Sequence, residues 1–189
     1  MTKEATVYLV EDDDAVRDSL QMVLESVGYH VAAYSRADAF LEDFSTDMAG
    51  CMVLDIRMPG MNGMELQRQL NMRNSILPII FVTGHGDVPM AVEAMQRGAV
   101  DFVQKPYREE ELLGKIQQAI AADAENRADL EEKHKIIERL AELTPREKQV
   151  MELMIEGKAN KVIAYDLDIR QRTVEIHRAR VMEKMGVRS

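Results

Sequence analysis

Five short runs of apolar and β-branched residues punctuate the first part of the chain: ATVYLV (5–10), HVAAYS (30–35), CMVLD (51–55), PIIFVTG (78–84) and VDFVQ (100–104). Each has the length of a buried strand. Between the first two, Val16, Leu20, Val23, Leu24 and Val27 recur at the helical period and Gly28 follows, which predicts an amphipathic helix closed by glycine. The alternation then repeats. Strands separated by helices predict a parallel sheet covered on both faces, because a parallel pair needs a crossover that a helix supplies. The expected fold is α/β, a doubly wound five-stranded parallel sheet over residues 1–120.

From residue 109 to about 143 Ala, Glu, Lys, Arg and Leu dominate, with no proline and only Gly114, so this stretch should be helical. Leu112, Leu113, Ile116 and Ile120 give it an apolar stripe at first. It is then polar almost all round until Ile136, Ile137, Leu140 and Leu143. Residues 121–142 read as a solvated helical connector; a coiled-coil dimer is the alternative, although sustained heptads are lacking. At LTPREKQV, Thr144, Pro145 and Glu147 have the spacing of a capping box with proline at the first helical position. Three short helices follow, over 145–156, 160–167 and 172–185. Val150, Leu153, Met154, Ile163, Ala164, Leu167, Val174, Val181 and Met185 can share their core. That pattern predicts a small all-α helix-turn-helix domain at residues 143–189.

Composition narrows the classes. With 189 residues, 46% of them hydrophobic, the chain can build more than one core. No run approaches the roughly 18–20 apolar residues of a membrane span, and the N-terminus has no basic region followed by an apolar signal core. A cytoplasmic location is expected. Cys51 is the single cysteine, so an internal disulfide is excluded, zinc is disfavoured, and a buried thiol is expected. The net charge of −9 is uneven: −9 over residues 1–120, −3 over 121–142 and +3 over 143–189. Nucleic-acid contact, if any, belongs to the last segment.

The chemistry gathers at strand ends. In an open parallel sheet the reactive edge is the carboxyl end of the strands, where strand order reverses. Asp55 ends the third strand, Glu11 and Asp12 the first, Thr83 the fourth, and Lys105 the fifth, just before Pro106. Three crowded carboxylates repel unless a cation joins them, and Mg2+ suits an all-oxygen site. Lys105 and Thr83 beside them can hold phosphoryl oxygens while Asp55 attacks as nucleophile. Asp13 and Asp14 are expected to cap the first helix. His85 reads as a loop residue, Met58, Met61 and Met64 as packing, and His134 as solvated.

VYLVEDDDAVRDSL, VLDIRMPGMNG and FVTGHGDVPMAVEAMQRGAVDFVQKPY resemble the receiver domain of two-component response regulators. The segment from LTPREKQV to VRS resembles the LuxR/NarL-type helix-turn-helix, and the combination resembles the FixJ-type transcriptional regulators. The resemblance implies phosphorylation of Asp55 by a sensor histidine kinase, with Mg2+ held by Glu11, Asp12, Asp55 and the backbone carbonyl of Arg57. It implies that Thr83 and Lys105 contact the phosphoryl group, that Phe102 follows Thr83 as a switch, and that the Lys105–Pro106 peptide is cis. Homodimerisation on phosphorylation maps to Val92, Gln96, Val100 and Val103. Promoter DNA falls to Lys161, Thr173, Glu175, Ile176, His177, Arg178 and Ala179, where Arg can read guanine and Glu can accept from cytosine. RNA polymerase is the implied partner in transcription, and no enzymatic turnover is implied.

Such modules usually continue past MGVRS with a fourth helix, so the last domain is expected to be weakened. Two rival readings remain. A haloacid-dehalogenase-like phosphohydrolase would need a D-x-D pair where Asp55 is followed by Ile56 and Arg57. A phosphorylation-independent scaffold would leave the pocket without a use.

Overall fold

Every apolar run of the first segment is a strand. The computed structural model of the chain describes residues 4–84 and 87–188, and places His85 outside them. β1 (Thr6–Val10), β2 (His30–Tyr34), β3 (Gly50–Asp55), β4 (Ile79–Thr83) and β5 (Asp101–Gln104) form one parallel sheet in the order β2-β1-β3-β4-β5. The crossovers are α1 (Asp14–Ser26), α2 (Ala37–Asp43), α3 (Gly63–Met72) and α4 (Val88–Gln96). Side chains alternate between the two faces, as strand geometry requires. Tyr8, Val10, Met52, Leu54 and Phe81 meet Phe40, Leu66, Leu70 and Ala94 in one layer. Val7, Leu9, Val53, Ile80, Val82 and Val103 meet Leu20, Leu24, Leu112, Ile116 and Ala119 in the other. Each large side chain so buried contributes about 1.5–3 kcal/mol.

Asp13 caps α1, its carboxylate accepting from the Val16 amide at 3.0 Å. Val27, expected on the buried stripe, is 53% exposed. It stands at the C-cap, where the chain leaves the helical path and Gly28 takes φ +94°. Cys51 is buried in β3, and burial, with Asp123 adding, pushes its thiol up to about 12. Iodoacetamide at pH 8 is therefore expected to leave the native thiol unmodified and to label it in urea; native labelling would contradict this packing.

The chain divides into two compact units, Met1–Arg127 and Ala128–Ser189. α5 (Glu109–Ala141) supplies residues to both. Within the first unit, α5 stays engaged past the apolar stripe. The buried Asp123 carboxylate accepts from the Gly50 amide at 2.9 Å and from Arg127 Nε at 2.8 Å. Arg127 also donates to the carbonyls of Thr46, at 3.2 Å, and Met48. Gly50 is required at this crossing: its φ is +127°, and a Cβ would lie 2.0 Å from the Thr6 carbonyl oxygen.

The second unit packs α6 (Pro145–Ile155), α7 (Asn160–Asp166) and α8 (Gln171–Met185) around Val150, Ile163, Ala164 and Val174, with Leu153, Met154, Leu167 and Ile169 against them. Thr144 and Glu147 form the expected capping box. Glu147 is buried and held below its usual range by Lys184, whose Nζ lies 2.7 Å away. The same ammonium donates to the Glu142 carbonyl at 3.1 Å. Arg139 donates to the carbonyl of Met185, the last residue of α8, at 3.0 Å. No helix among the described residues is long and apolar enough to cross a membrane.

Candidate functional site

Strand order reverses between β1 and β3, and the chain places a carboxylate at the end of each. Glu11 follows β1 and is buried; Asp55 ends β3 half-buried. With Asp12 they present ligand oxygens that lie within 4.8 Å of one another. Lys105, just beyond β5, points its Nζ between two of them, 3.3 Å from Asp55 Oδ2 and 3.5 Å from Glu11 Oε2. Its own amide donates to the Thr83 carbonyl at 2.7 Å, and the Lys105–Pro106 peptide is cis. The second oxygen of Asp55, Oδ1, accepts from the Arg57 amide at 3.1 Å. α3 begins directly beneath, and Gly63 allows this: a Cβ there would stand 2.4 Å from the Asp55 carbonyl oxygen.

The pocket is electrostatically frustrated. Burial, reinforced by the nearby Asp55, pushes the Glu11 carboxyl up to about 7, despite the Asp13 amide and Lys105, which lower it. Burial alone would depress Lys105, but Asp55 and Glu11 outweigh it and hold its ammonium above the ordinary value. Lys105 reaches two of the three clustered carboxylates, Asp55 and Glu11. That donor set, all oxygen and short of positive charge, fits a hard divalent cation.

Thr83 ends β4, the strand paired to β3, and Phe102 lies in β5, the strand paired to β4. The Thr83 hydroxyl is fully buried and donates to the Val103 carbonyl at 3.3 Å, so it engages β5. Phe102 is half-buried against the α2–α4 layer. Of the expected dimer residues, Val92, Gln96 and Val100 are exposed. Val103 is not: it is 1% exposed, because its place in β5 turns its side chain into the α1–α5 layer. It cannot offer that side chain to a partner. Val88 and Met95 are exposed with Val92 on α4, an i, i+4, i+7 stripe whose spacing was available in VPMAVEAM.

In the second unit α8 begins at Gln171, one residue before the expected start. Glu175, Ile176 and Ala179 are exposed, Thr173, His177 and Arg178 are half-buried, and Lys161 is exposed on α7. His177 Nδ1 is buried with no hydrogen-bond partner among the described residues.

One contact at the first site has no local sequence signal. The Arg57 guanidinium grips Asp87, with Nε and Nη2 2.7 and 2.6 Å from its Oδ1. Asp87 is buried, and the hydrogen bond from Arg57 holds its carboxyl below the ordinary value. Thirty residues separate the partners.

Comparisons with known proteins agree with this geometry. The model for the response regulator receiver domain matches residues 7–117, and that for bacterial regulatory proteins of the luxR family matches 141–189. The transcriptional regulatory protein FixJ of Bradyrhizobium diazoefficiens is 46% identical over 190 residues, covering 100% of this chain and 92% of the relative. The response regulator protein TodT of Pseudomonas putida is 42% identical over 187 residues, covering 99% and 82%. Among solved structures, the response regulator StyR superposes with a TM-score of 0.94 at 44% identity, over 99% of this chain and 94% of that one. Full-length FixJ from B. japonicum gives 0.63 at 44% identity, over 100% and 93%. The strand order, the carboxylate cluster and two family matches that together span most of the chain lead to one conclusion: the protein belongs to the transcriptional response regulators that join a receiver domain to a LuxR-family DNA-binding domain.

Proposed function

We propose that Asp55 is the phosphoacceptor of a phosphorylation-dependent switch that a sensor histidine kinase loads. The observation that carries this reading is Lys105, held 3.3 Å from one oxygen of Asp55 beside two further carboxylates. That oxygen attacks the phosphorus of the donor phosphohistidine; an O–P bond forms, the N–P bond breaks, and the imidazole leaves. Lys105 holds the incoming phosphoryl oxygens. Glu11, Asp12, Asp55 and the Arg57 carbonyl are the groups that would hold Mg2+. When bound, the ion supplies positive charge against the anionic nucleophile and phosphoryl group.

The switch is a change of partner for Thr83. Its hydroxyl leaves the Val103 carbonyl for a phosphoryl oxygen, and Phe102 moves into the space released. The exposed Val88, Val92 and Met95 of α4 then join Val100 in a homodimer, a shift between states that differ in affinity for a second copy. Two DNA-binding modules presented together bind paired promoter half-sites more tightly than either alone. Glu175, Ile176, Arg178 and Ala179 of α8 read bases, while Lys161, Thr173 and His177 contact phosphates. The dimer acts on RNA polymerase in the cytoplasm, and the receiver's chemistry serves regulation rather than turnover.

The test is incubation with Mg2+ and acetyl phosphate followed by intact-mass and peptide spectrometry. One base-labile phosphoryl group on Asp55 is expected, lost when Mg2+ is withheld and absent from Asp55→Asn. A parent protein that takes none, or takes it elsewhere, overturns the reading.

A further inference from the structure

The two oxygens of Asp55 are held by different means. Oδ2 faces Lys105, while Oδ1 accepts the Arg57 amide at 3.1 Å. That amide belongs to a residue whose side chain runs away from the pocket to Asp87. The Asp87 carboxylate is 3% exposed and uses both oxygens: Oδ1 takes the Arg57 guanidinium, and Oδ2 accepts the Gly84 amide at 3.2 Å. Arg57, by contrast, has a side chain 71% exposed. An exposed arginine paired to an exposed acid adds little order, but a buried carboxylate depends on its cation. The pairing therefore fixes the Arg57 backbone from outside the pocket. A continuous line of bonds runs from the Gly84 amide through Asp87 and Arg57 to Oδ1 of Asp55.

We infer that Arg57 and Asp87 are positioning residues for phosphoryl transfer: their ion pair sets the Arg57 amide, the amide holds Oδ1, and Oδ2 is presented as the attacking oxygen. The inference rests on Asp55 being the phosphoacceptor. With acetyl phosphate the step forms a bond between Oδ2 and phosphorus and breaks the bond from phosphorus to the acetyl oxygen, releasing acetate. Asp87 is also the residue before α4, so the pair links the setting of the nucleophile to the helix that carries Val88, Val92 and Met95.

The experiment measures the initial rate of Asp55 phosphorylation by acetyl phosphate and Mg2+ in the full chain, normalised to folded protein. Parent, Arg57→Ala, Arg57→Lys, Asp87→Asn and the Ala/Asn double variant are compared. A slightly misplaced nucleophile costs about five- to tenfold. Each single loss of the pair is expected to slow the reaction by that factor, the double variant to be no slower than the slower single, and Arg57→Lys to recover part of the rate. A purely structural role would lower Tm without changing the rate per folded molecule. Single variants within twofold of the parent, or effects that multiply in the double, overturn the inference. If Asp87→Asn fails to fold, Arg57→Ala decides alone, since its side chain is mostly in solvent. If the parent takes no phosphoryl group, the phosphoacceptor reading has failed and the inference falls with it; a phosphorylated parent with unaffected variants removes only the inference.

Discussion

Replacing Glu11 with glutamine makes the metal-free protein more stable at pH 8, by about 2–3 kcal/mol. Glu11 is 3% exposed, and its carboxyl is pushed up to about 7 from an ordinary value of 4.5, burial being the first cause. Between those two values the folded chain keeps a proton that the unfolded chain has released. Stability therefore falls as pH rises from 4.5 toward 7, and above 7 the penalty is fully present. Glutamine has no charge to bury. The gain should appear as a rise in Tm on the order of 5–10 °C at pH 8 that shrinks to nothing near pH 4. Mg2+ is expected to reverse the ranking: binding at the carboxylate cluster would raise the Tm of the parent, while the variant, one carboxylate short, would respond only at about tenfold higher concentrations. Melting curves from pH 4 to 8.5, with and without Mg2+, measure both effects. Equal parent and variant Tm at pH 8 would mean that Glu11 carries no such burden.

The second large effect is steric. In Gly63→Ala the new methyl would lie 2.4 Å from the Asp55 carbonyl oxygen and 3.1 Å from the Ile56 Cα. Both are backbone atoms of the segment leaving β3, a strand paired on both sides by β1 and β4. Neither can swing aside, so α3 must retreat and drag the loop that carries Arg57 and Met58. A loss of about 2–4 kcal/mol is expected, read by urea denaturation. On the proposed reading, phosphorylation of Asp55 should slow more than tenfold even at temperatures where the variant stays folded, because the displaced loop carries the Arg57 amide that bonds Asp55 Oδ1. Full activity in a folded Gly63→Ala protein would show that the pocket tolerates this displacement.

The sheet was legible because its signals are local. Each strand is an apolar run bounded by turn residues, and Asp55, Thr83 and Lys105 stand out as polar groups at the ends of such runs. Their convergence followed from topology, since parallel strands put their carboxyl ends on one edge. What escaped the sequence depends on pairings at long range. Asp123 and Arg127, four apart on a polar helix, look like a solvated i, i+4 pair. Asp123 is buried and Arg127 half-buried because the Gly50 amide, at the start of β3, and the Thr46 and Met48 carbonyls of the loop before it need partners. Arg57 and Asp87 have no periodicity to betray them, because their loops are neighbours only once β3 and β4 are paired. Val103 was misplaced for a simpler reason. A four-residue strand with an apolar residue on each face does not say which face will be covered.

The bonds between the end of α5 and the end of α8 bear on how this protein should be cut for study. A fragment designed from the capping box would begin near residue 143. It would discard Arg139, which caps the Met185 carbonyl, and the Glu142 carbonyl that shares Lys184 with Glu147. α8 would then lose the anchor at its C-terminal end while every residue proposed to contact DNA remained in the fragment. Weak binding by such a fragment would report a misplaced scissor cut and nothing about DNA affinity. Fragments should start upstream of Arg139, at the first turns of the second unit near Ala128.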